Sequence, residues 1–135
     1  MGCGRVGATL ARTLASGGQQ VAVIDMDPKA FRRLGSDFEG KTVTGVGFDR
    51  AVLTAAGIKQ AYAFAAVSSG DNSNILAARV ARETFGVERV AARIYDPRRA
   101  MVYQRLGIPT VATVRWTADQ IISRLVPHEI GRAHV

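Results

Sequence analysis

The chain has 135 residues, of which 47% are hydrophobic and 21% charged, a balance typical of one globular domain and not of a disordered or fibrous chain. The net charge is +7, but the 15 arginines and three lysines are spread along the whole sequence. This spread argues against a nucleic-acid partner, because nucleic-acid binders concentrate their charge on one face. No apolar run approaches the roughly 20 residues that cross a bilayer. Cys3 is the only cysteine, which excludes an internal disulfide and a cysteine-based zinc site and fits a reducing compartment.

The first residues form a glycine motif of the kind that binds dinucleotides. The run Gly2-Cys3-Gly4-Arg5-Val6-Gly7 has the pattern G-x-G-x-x-G and leads directly into a helix-like segment. In this pattern the first glycine allows a tight turn, the second lets backbone approach a pyrophosphate, and the third lets the helix pack on a sheet. A strand-like run over residues 21–24 ends in Asp25, 18 residues after Gly7, where a carboxylate can accept hydrogen bonds from ribose hydroxyls.

After this motif, short apolar runs alternate with segments that begin with helix-capping residues. A buried strand normally precedes the motif, but only Met1 stands before Gly2, so we expect a domain truncated at its N-terminus that lacks the first strand. The remaining predicted strands are residues 21–24, 41–44, 61–67, 89–94 and 110–114. Their alternation with helices predicts an α/β fold, a doubly wound, Rossmann-like parallel sheet with helices on both faces.

The helix boundaries are predicted from capping residues. N-caps are expected at Asp27 and Asp96, each before a proline, at Asp49 and Asp71, and at the capping box of residues 117–120. Left-handed C-caps are expected at Gly57, Gly86 and Gly107. One long helix is predicted over residues 72–85, with Ile75, Leu76, Val80 and Phe85 on its core side.

In such a sheet the ligand crevice lies beyond the carboxyl ends of the strands. The candidates at those ends are the Gly2 to Gly7 loop, Asp25 with Asp27, Gly45-Val46-Gly47, Ser68-Ser69-Gly70, and Tyr95-Asp96. Alternatives stay open for several of them. Asp27 is favoured as a helix cap over a ribose contact. Gly45 and Gly47 either let an adenine lie close to the backbone or only make a turn. Ser68 and Ser69 either contact the ligand or only form a turn.

Arg5 is a candidate phosphate ligand. It stands in the first turn of the motif helix, whose N-terminus favours anions, and a guanidinium there can pair with a phosphate in bidentate geometry.

Several motifs together resemble one known family. They are the opening glycine motif, Val-Ile-Asp-Met-Asp at 23–27, Val-Leu-Thr-Ala-Ala-Gly-Ile at 52–58, the run 71–77, Val-Ala-Ala-Arg at 90–93, and Asp96-Pro97 before Leu106-Gly107-Ile108. From Gly2 to about Val126 the chain resembles the RCK (KTN) nucleotide-binding domains of Trk potassium-uptake regulatory subunits. One departure is Val46, since the family commonly has Gly-Asp where this chain has Gly45-Val46.

The resemblance implies a cytoplasmic regulatory subunit, peripheral to the membrane, that binds NAD(H) or ATP/ADP and gates a membrane potassium transporter subunit. It also implies a homo-oligomer, either a dimer or a tetramer. It assigns the pyrophosphate to the motif glycines, a phosphate to Arg5, the ribose to Asp25, the adenine surroundings to Gly45 and its neighbour, and a phosphate or interface role to Arg93. The predicted cofactor-binding residues are Gly2, Gly4, Arg5, Val6, Gly7, Asp25, Met26, Gly45, Val46, Ser68 and Arg93.

The main rival function is the N-terminal nucleotide-binding half of an NAD-dependent dehydrogenase. Such an enzyme needs an acid or base beside the nicotinamide, and Tyr62, Tyr95 and Tyr103 each lack a lysine four residues later. We therefore expect no enzymatic activity, no catalytic residue and no metal site. Residues 1–126 are predicted to be the nucleotide-binding domain, and residues 129–135, which do not continue the preceding pattern, are suspected to be a non-native tail.

Overall fold

The computed structural model describes residues 1–126, and the suspected tail, residues 129–135, lies outside them. The strands are β1 (Ala22–Asp25), β2 (Lys41–Thr44), β3 (Ala63–Ala66), β4 (Arg89–Ile94) and β5 (Thr110–Ala112). The α-helices are α1 (Arg5–Ser16), α2 (Arg50–Ala56), α3 (Asp71–Arg79), α4 (Pro97–Arg105) and α5 (Thr113–Leu125). Short 3-10 helices cover Pro28–Leu34 and Ile58–Gln60, and a π-helical turn covers Val80–Thr84.

The five strands are all parallel and fall into two sheets. One sheet pairs β1 with β2 and places Asp25 opposite Thr44, while the other has the order β3-β4-β5. The start of the chain joins the two sheets, because the Met1 amino group donates to the Ala65 carbonyl at 2.9 Å and the Gly2 N–H donates to the Ile24 carbonyl at 2.7 Å. The predicted α/β, Rossmann-like fold is confirmed, with its parallel strands in two sheets.

The apolar side chains form two cores. The larger core spans both sheets: it packs α2 on β1 and β2, and α3 and α4 on the other sheet, with Leu53 and Ile94 fully buried. The smaller core lies between α1, β1 and the first 3-10 helix, and it includes Cys3, Val23 and Leu34. Burying a Leu or Ile side chain contributes about 1.5–3 kcal/mol, so these clusters hold the helices on the sheets. The carboxyl ends of β1 and β3 flank the glycine loop, because the Gly2 N–H donates to the Ile24 carbonyl and the Val67 N–H donates to the Met1 carbonyl.

The structure places several boundaries differently from the sequence prediction. The strands expected at 21–24 and 61–67 are Ala22–Asp25 and Ala63–Ala66, and the strand expected at 110–114 ends at Ala112 because α5 begins at Thr113. The capping box at 117–120 was therefore wrong as a helix start. No glycine or proline interrupts residues 113–125, so the helix runs through Thr117.

The long helix predicted over residues 72–85 is also different in the structure. The α-helical part ends at Arg79, and the Phe85 N–H bonds to the Val80 carbonyl, five residues back, in the π-helical turn. Leu76 is 42% exposed instead of buried, because the small side chains of Ala77, Ala78 and Ala81 face the sheet and let the helix approach it closely. Ile75 is buried as predicted.

Asp71 is the remaining correction. It is the first residue of α3 and not its N-cap, and Gly70 occupies the cap position without a side-chain hydrogen bond. The Asp71 carboxylate instead reaches the turn after β4, where it accepts from the Tyr95 N–H at 2.7 Å and the Asp96 N–H at 3.0 Å. The caps expected at Asp27, Asp49 and Asp96 are all present, as are positive φ values at Gly57, Gly86 and Gly107.

Candidate functional site

The three motif glycines have different surroundings. Gly2 has φ +99°, and a Cβ there would lie 2.6 Å from the Ser68 backbone nitrogen. A Cβ on Gly7 would overlap the Gly2 carbonyl oxygen. A Cβ on Gly4 would meet no atom within 4 Å. The first and third glycines are therefore required by backbone packing, whereas the second faces open space where a ligand can approach the backbone.

The N-terminus of α1 has no side-chain cap. Gly4 is the N-cap, with φ −81° and ψ −161°, and no acidic residue occupies the first turn. The first N–H groups of a helix have no partner within the helix and carry a partial positive charge. Arg5 is exposed in this turn and makes no ion pair within residues 1–126, while Val6 is 42% exposed. The loop thus has uncapped backbone donors and an exposed guanidinium in the first turn, and both are groups that bind phosphates.

Asp25 links the glycine loop to the end of β1. Its Oδ2 accepts from the Cys3 N–H at 2.8 Å, and its Oδ1 accepts from the Asp27 N–H at 2.8 Å. Each carboxylate oxygen has a second acceptor position, so Asp25 can still bind ribose hydroxyls beside the loop. Asp27 instead caps the 3-10 helix through the Lys29 N–H at 2.9 Å. Met26 stands between them and is 70% exposed.

Cys3 belongs to the loop, and its side chain is completely buried in the smaller core. Its Sγ atom is 3.4 Å from the Ala30 carbonyl, to which the thiol donates. Burial, and secondarily the negative charge of Asp25, raises the pKa of the Cys3 thiol. The thiol is therefore neutral at physiological pH and acts as a small apolar group in the smaller core.

The glycines after β2 have packing reasons of their own. A Cβ on Gly45 would lie 2.5 Å from Val52 Cγ2, and one on Gly47 would overlap the Met1 side chain. The Gly45 N–H donates to the Asp25 carbonyl at 3.0 Å, which places this turn beside the ribose candidate. Val46 is partly buried, and its carbonyl accepts from the Asp49 N–H at 3.1 Å. The turn therefore borders the site, and close packing explains why glycine stands at positions 45 and 47.

Ser68 and Arg93 meet at a residue that the sequence analysis did not single out. Asn74 is fully buried and hydrogen bonds to Ser68 and to the Arg93 carbonyl. A sequence signal for it existed. Asn74, Ala77, Ala78 and Ala81 follow helical spacing, and a polar residue on an otherwise apolar stripe indicates a buried hydrogen-bonding group.

The Arg93 side chain lies against an aromatic ring. Its guanidinium carbon is 4.3 Å from the centre of the Tyr95 ring. Its Nε atom is buried and has no hydrogen-bond partner within the described part of the chain. Arg93 therefore reaches the site region through its carbonyl and Asn74, while its guanidinium stacks on Tyr95.

The predicted residues thus form two connected sets around the loop. On one side Cys3, Asp25 and Gly45 are linked by backbone and carboxylate hydrogen bonds. On the other side Gly2 touches Ser68, which connects through Asn74 to Arg93. Residues 1–126 contain no cluster of three potential metal ligands, and none of their helices has the length and apolar character needed to span a bilayer.

Comparisons with known proteins identify the family. The sequence model of the TrkA-N domain family matches residues 1–114. The Trk system potassium uptake protein TrkA of Streptomyces coelicolor is 74% identical over 127 residues, which cover 94% of this chain and 57% of that protein. The TrkA homolog of Pyrococcus abyssi is 36% identical over 106 residues, covering 78% of this chain and 47% of that protein. The chain therefore spans about half the length of these relatives.

Solved structures share the fold. The TrkA-N domain of the Escherichia coli inner membrane protein ybaL superposes with a TM-score of 0.78 at 18% identity, covering 93% of each chain. The Shewanella denitrificans Kef CTD in its AMP-bound form gives a TM-score of 0.78 at 22% identity, covering 98% of this chain and 84% of that one. The family match over most of the described residues confirms the expected RCK resemblance, and the chain belongs to the TrkA-N domain family.

Proposed function

We propose that this chain is the nucleotide-binding regulatory domain of a potassium-uptake system. The observation that carries the proposal is the uncapped N-terminus of α1, with open space at Gly4 and the Asp25 carboxylate beside it. Backbone donors for a phosphate and acceptors for a ribose are thereby adjacent, as nucleotide binding requires. The names of the TrkA relatives and the AMP-bound state of the Kef structure support this assignment.

The proposed ligand is NAD(H) or an adenine nucleotide such as ATP or ADP. The backbone of the Gly2 to Gly7 loop, including the Val6 N–H, would hold the pyrophosphate, and Arg5 would add a phosphate contact. Asp25 would accept from the ribose, with Met26 and the Gly45-Val46 turn beside the adenine. Ser68 and Arg93 would border the far end of the ligand.

Regulation would follow from the position of this site between the two sheets. Asp25 ends β1 in one sheet, whereas Ser68 follows β3 and Arg93 lies in β4 of the other sheet. Met1 and Gly2 form backbone hydrogen bonds to both sheets. A ligand that touches both sides stabilises one relative arrangement of the sheets. A transporter subunit that contacts the domain would respond to that difference, which is coupling between two sites.

The proposal includes a membrane potassium transporter as partner, a cytoplasmic position peripheral to the membrane, and a homo-oligomer, either a dimer or a tetramer. The apolar side chains of α5 support the oligomer. Ile121, Ile122 and Leu125 are 53%, 53% and 76% exposed, and no residue of α5 is buried. Ile121 and Ile122 are four and three residues before Leu125 and so share its helix face, and an exposed apolar face is typical of protein contacts.

A dehydrogenase half is the alternative. The full-length protein distinguishes the two functions, because a dehydrogenase would consume NADH in the presence of a small keto acid or aldehyde, whereas a regulatory protein would bind NADH without turnover. We expect constant NADH absorbance with such substrates. Substrate-dependent loss of absorbance that disappears in Gly4→Asp would favour the enzyme.

Titration calorimetry tests the proposed binding. We expect NADH or an adenine nucleotide to bind the chain, and Asp25→Ala to weaken binding by about 1–3 kcal/mol because ribose hydroxyls lose their acceptors. Asp27→Ala is the matched control, since Asp27 caps a 3-10 helix. Heats indistinguishable from dilution for every nucleotide with the wild-type chain would contradict the proposal.

A further inference from the structure

Asn74 uses all of its hydrogen-bonding capacity inside the protein. Its Nδ2 group donates to the carbonyl oxygens of Ser68 and Arg93 at 2.9 and 2.8 Å. Its Oδ1 atom accepts from the Ser68 N–H at 2.9 Å and from the Ser68 hydroxyl at 2.6 Å. Two donors and two acceptor positions are thereby filled, as expected for a side chain with no exposed surface.

These partners determine how the amide is oriented. Rotating it by 180° would direct Oδ1 at two carbonyl oxygens and direct the NH₂ group at the Ser68 N–H. Both contacts would be repulsive, and a buried polar group without a hydrogen bond lowers the stability of the fold. The hydroxyl proton of Ser68 therefore points at Asn74.

Ser68 has no hydrogen-bond donor left for a ligand. Its N–H and its hydroxyl proton both go to Asn74, and the Gly70 N–H lies 3.4 Å from Oγ, where it donates weakly. One lone pair of Oγ remains, so Ser68 acts only as an acceptor. Phosphate oxygens are acceptors as well and form no hydrogen bond with the Ser68 hydroxyl oxygen, whereas a ribose hydroxyl can donate to it.

Ser68 is also next to the glycine loop, where Gly2 would touch its backbone nitrogen if it carried a Cβ. A nucleotide whose first ribose binds Asp25 and whose pyrophosphate binds the loop would meet Ser68 with the group that follows the pyrophosphate. In ATP that group is a further phosphate, and in ADP the chain ends. In a dinucleotide the group is a second ribose.

We propose that Ser68, oriented by Asn74, accepts a hydrogen bond from a hydroxyl of a second ribose, so that the site prefers a dinucleotide to a nucleoside diphosphate or triphosphate. This inference rests on the proposed nucleotide-binding function and selects among its ligands. Ser68 is then a specificity-determining residue, and Asn74 is the residue that positions it.

The test compares four ligands on three proteins by titration calorimetry: NADH, ADP-ribose, ADP and ATP with the wild-type chain, Ser68→Ala and Ser16→Ala. Ser68→Ala should weaken NADH and ADP-ribose about five- to tenfold, the loss of one hydrogen bond, and should change ADP and ATP by less than about twofold. Ser16→Ala, at an exposed serine at the other end of α1, should leave all four unchanged. In the wild-type chain ADP-ribose should bind at least about fivefold tighter than ADP, a comparison that needs no variant.

An equal loss for all four ligands in Ser68→Ala would overturn the inference, because Ser68 would then contact the part that they share. No loss for any ligand, or equal affinity of the wild-type chain for ADP-ribose and ADP, would overturn it as well. In these cases nucleotide binding itself still stands. If no ligand binds the wild-type chain, the proposed function fails together with the inference.

Discussion

Two strand-to-helix turns of this domain treat the helix N-terminus in opposite ways. At α4 the Asp96 carboxylate accepts from the Arg98 N–H at 2.9 Å, Pro97 occupies the first helical position, and Arg99 lies 3.7 Å from the same carboxylate. At α1 the N-cap is Gly4, no side chain caps the helix, and the first turn carries Arg5. The N-terminus of α4 is thus capped by protein groups, whereas the N-terminus of α1 is left available to an anion.

The difference shows how a helix end becomes a candidate binding site. A capped N-terminus stabilises its own helix, because the carboxylate satisfies N–H groups that otherwise have no partner. At an uncapped end with a glycine and a cation, the same N–H groups still lack acceptors, and a bound anion can accept from them. The comparison therefore predicts that substitutions at α4 change stability alone, whereas substitutions at the open side of α1 change binding.

The largest effect is expected at Gly7. A Cβ there overlaps the Gly2 carbonyl oxygen, so Gly7→Ala must move the loop or the helix and should lower the free energy of unfolding by about 3 kcal/mol or more. Gly4→Ser is the matched control, because the added side chain meets open space and serine is a good N-cap. Urea denaturation measures both. Equal stability of the Gly7→Ala and Gly4→Ser proteins would show that the loop does not pack as described.

Removing the cap of α4 should have a smaller effect. Asp96→Ala leaves the Arg98 N–H without its acceptor, and we expect a loss of about 1 kcal/mol in the free energy of unfolding. Nucleotide affinity should stay within about twofold of wild type, since Asp96 lies at a different helix. A marked loss of affinity with unchanged stability would mean that the α4 turn belongs to the site.

Arg5 should affect binding by less than the loop does. Because its guanidinium is exposed, Arg5→Gln should weaken nucleotide binding by about 0.5–1 kcal/mol at low salt and by less at high salt. Arg12→Gln, further along the same exposed helix surface, serves as the control for net charge. Identical effects of the two substitutions at both salt concentrations would remove any specific role for Arg5.

The smallest effect concerns pH. The pKa of Cys3 is raised in the folded chain, so the thiol favours the folded state below its unfolded pKa, and this contribution disappears as the pH rises through the folded pKa. Stability should therefore fall more steeply above about pH 8.5 in the wild type than in Cys3→Ala. Denaturation midpoints between pH 7 and 10 report the difference. Parallel curves would show that the thiol is not shielded.

Local sequence patterns were sufficient for much of the fold. Strands β2 and β4 have the predicted bounds, and the left-handed glycines and three of the four predicted aspartate caps, at Asp27, Asp49 and Asp96, are found where the capping rules place them. These features depend on neighbouring residues only. The glycine motif and Asp25 are likewise local, and the structure brings them together through the Cys3 N–H.

The features that sequence reasoning missed depend on distant parts of the chain. Asn74 contacts the Arg93 carbonyl, 19 residues away, and Asp71 binds the turn 24 and 25 residues away. No capping rule contains such a partner, so Asp71 was assigned to its own helix end. The exposed Leu76 has a similar origin, because the close approach of the alanine side of α3 to the sheet decides its orientation.

Gly4→Asp tests the central claim, that the open N-terminus of α1 binds a nucleotide phosphate. The new carboxylate would cap α1 as Asp96 caps α4, and it would place a negative charge where the phosphate binds. Titrating NADH and ATP into wild-type and Gly4→Asp proteins should show binding to the first and a loss of at least about tenfold in the second, with the free energy of unfolding unchanged within about 0.5 kcal/mol. Undiminished affinity in a folded Gly4→Asp protein would contradict the claim and place the ligand elsewhere.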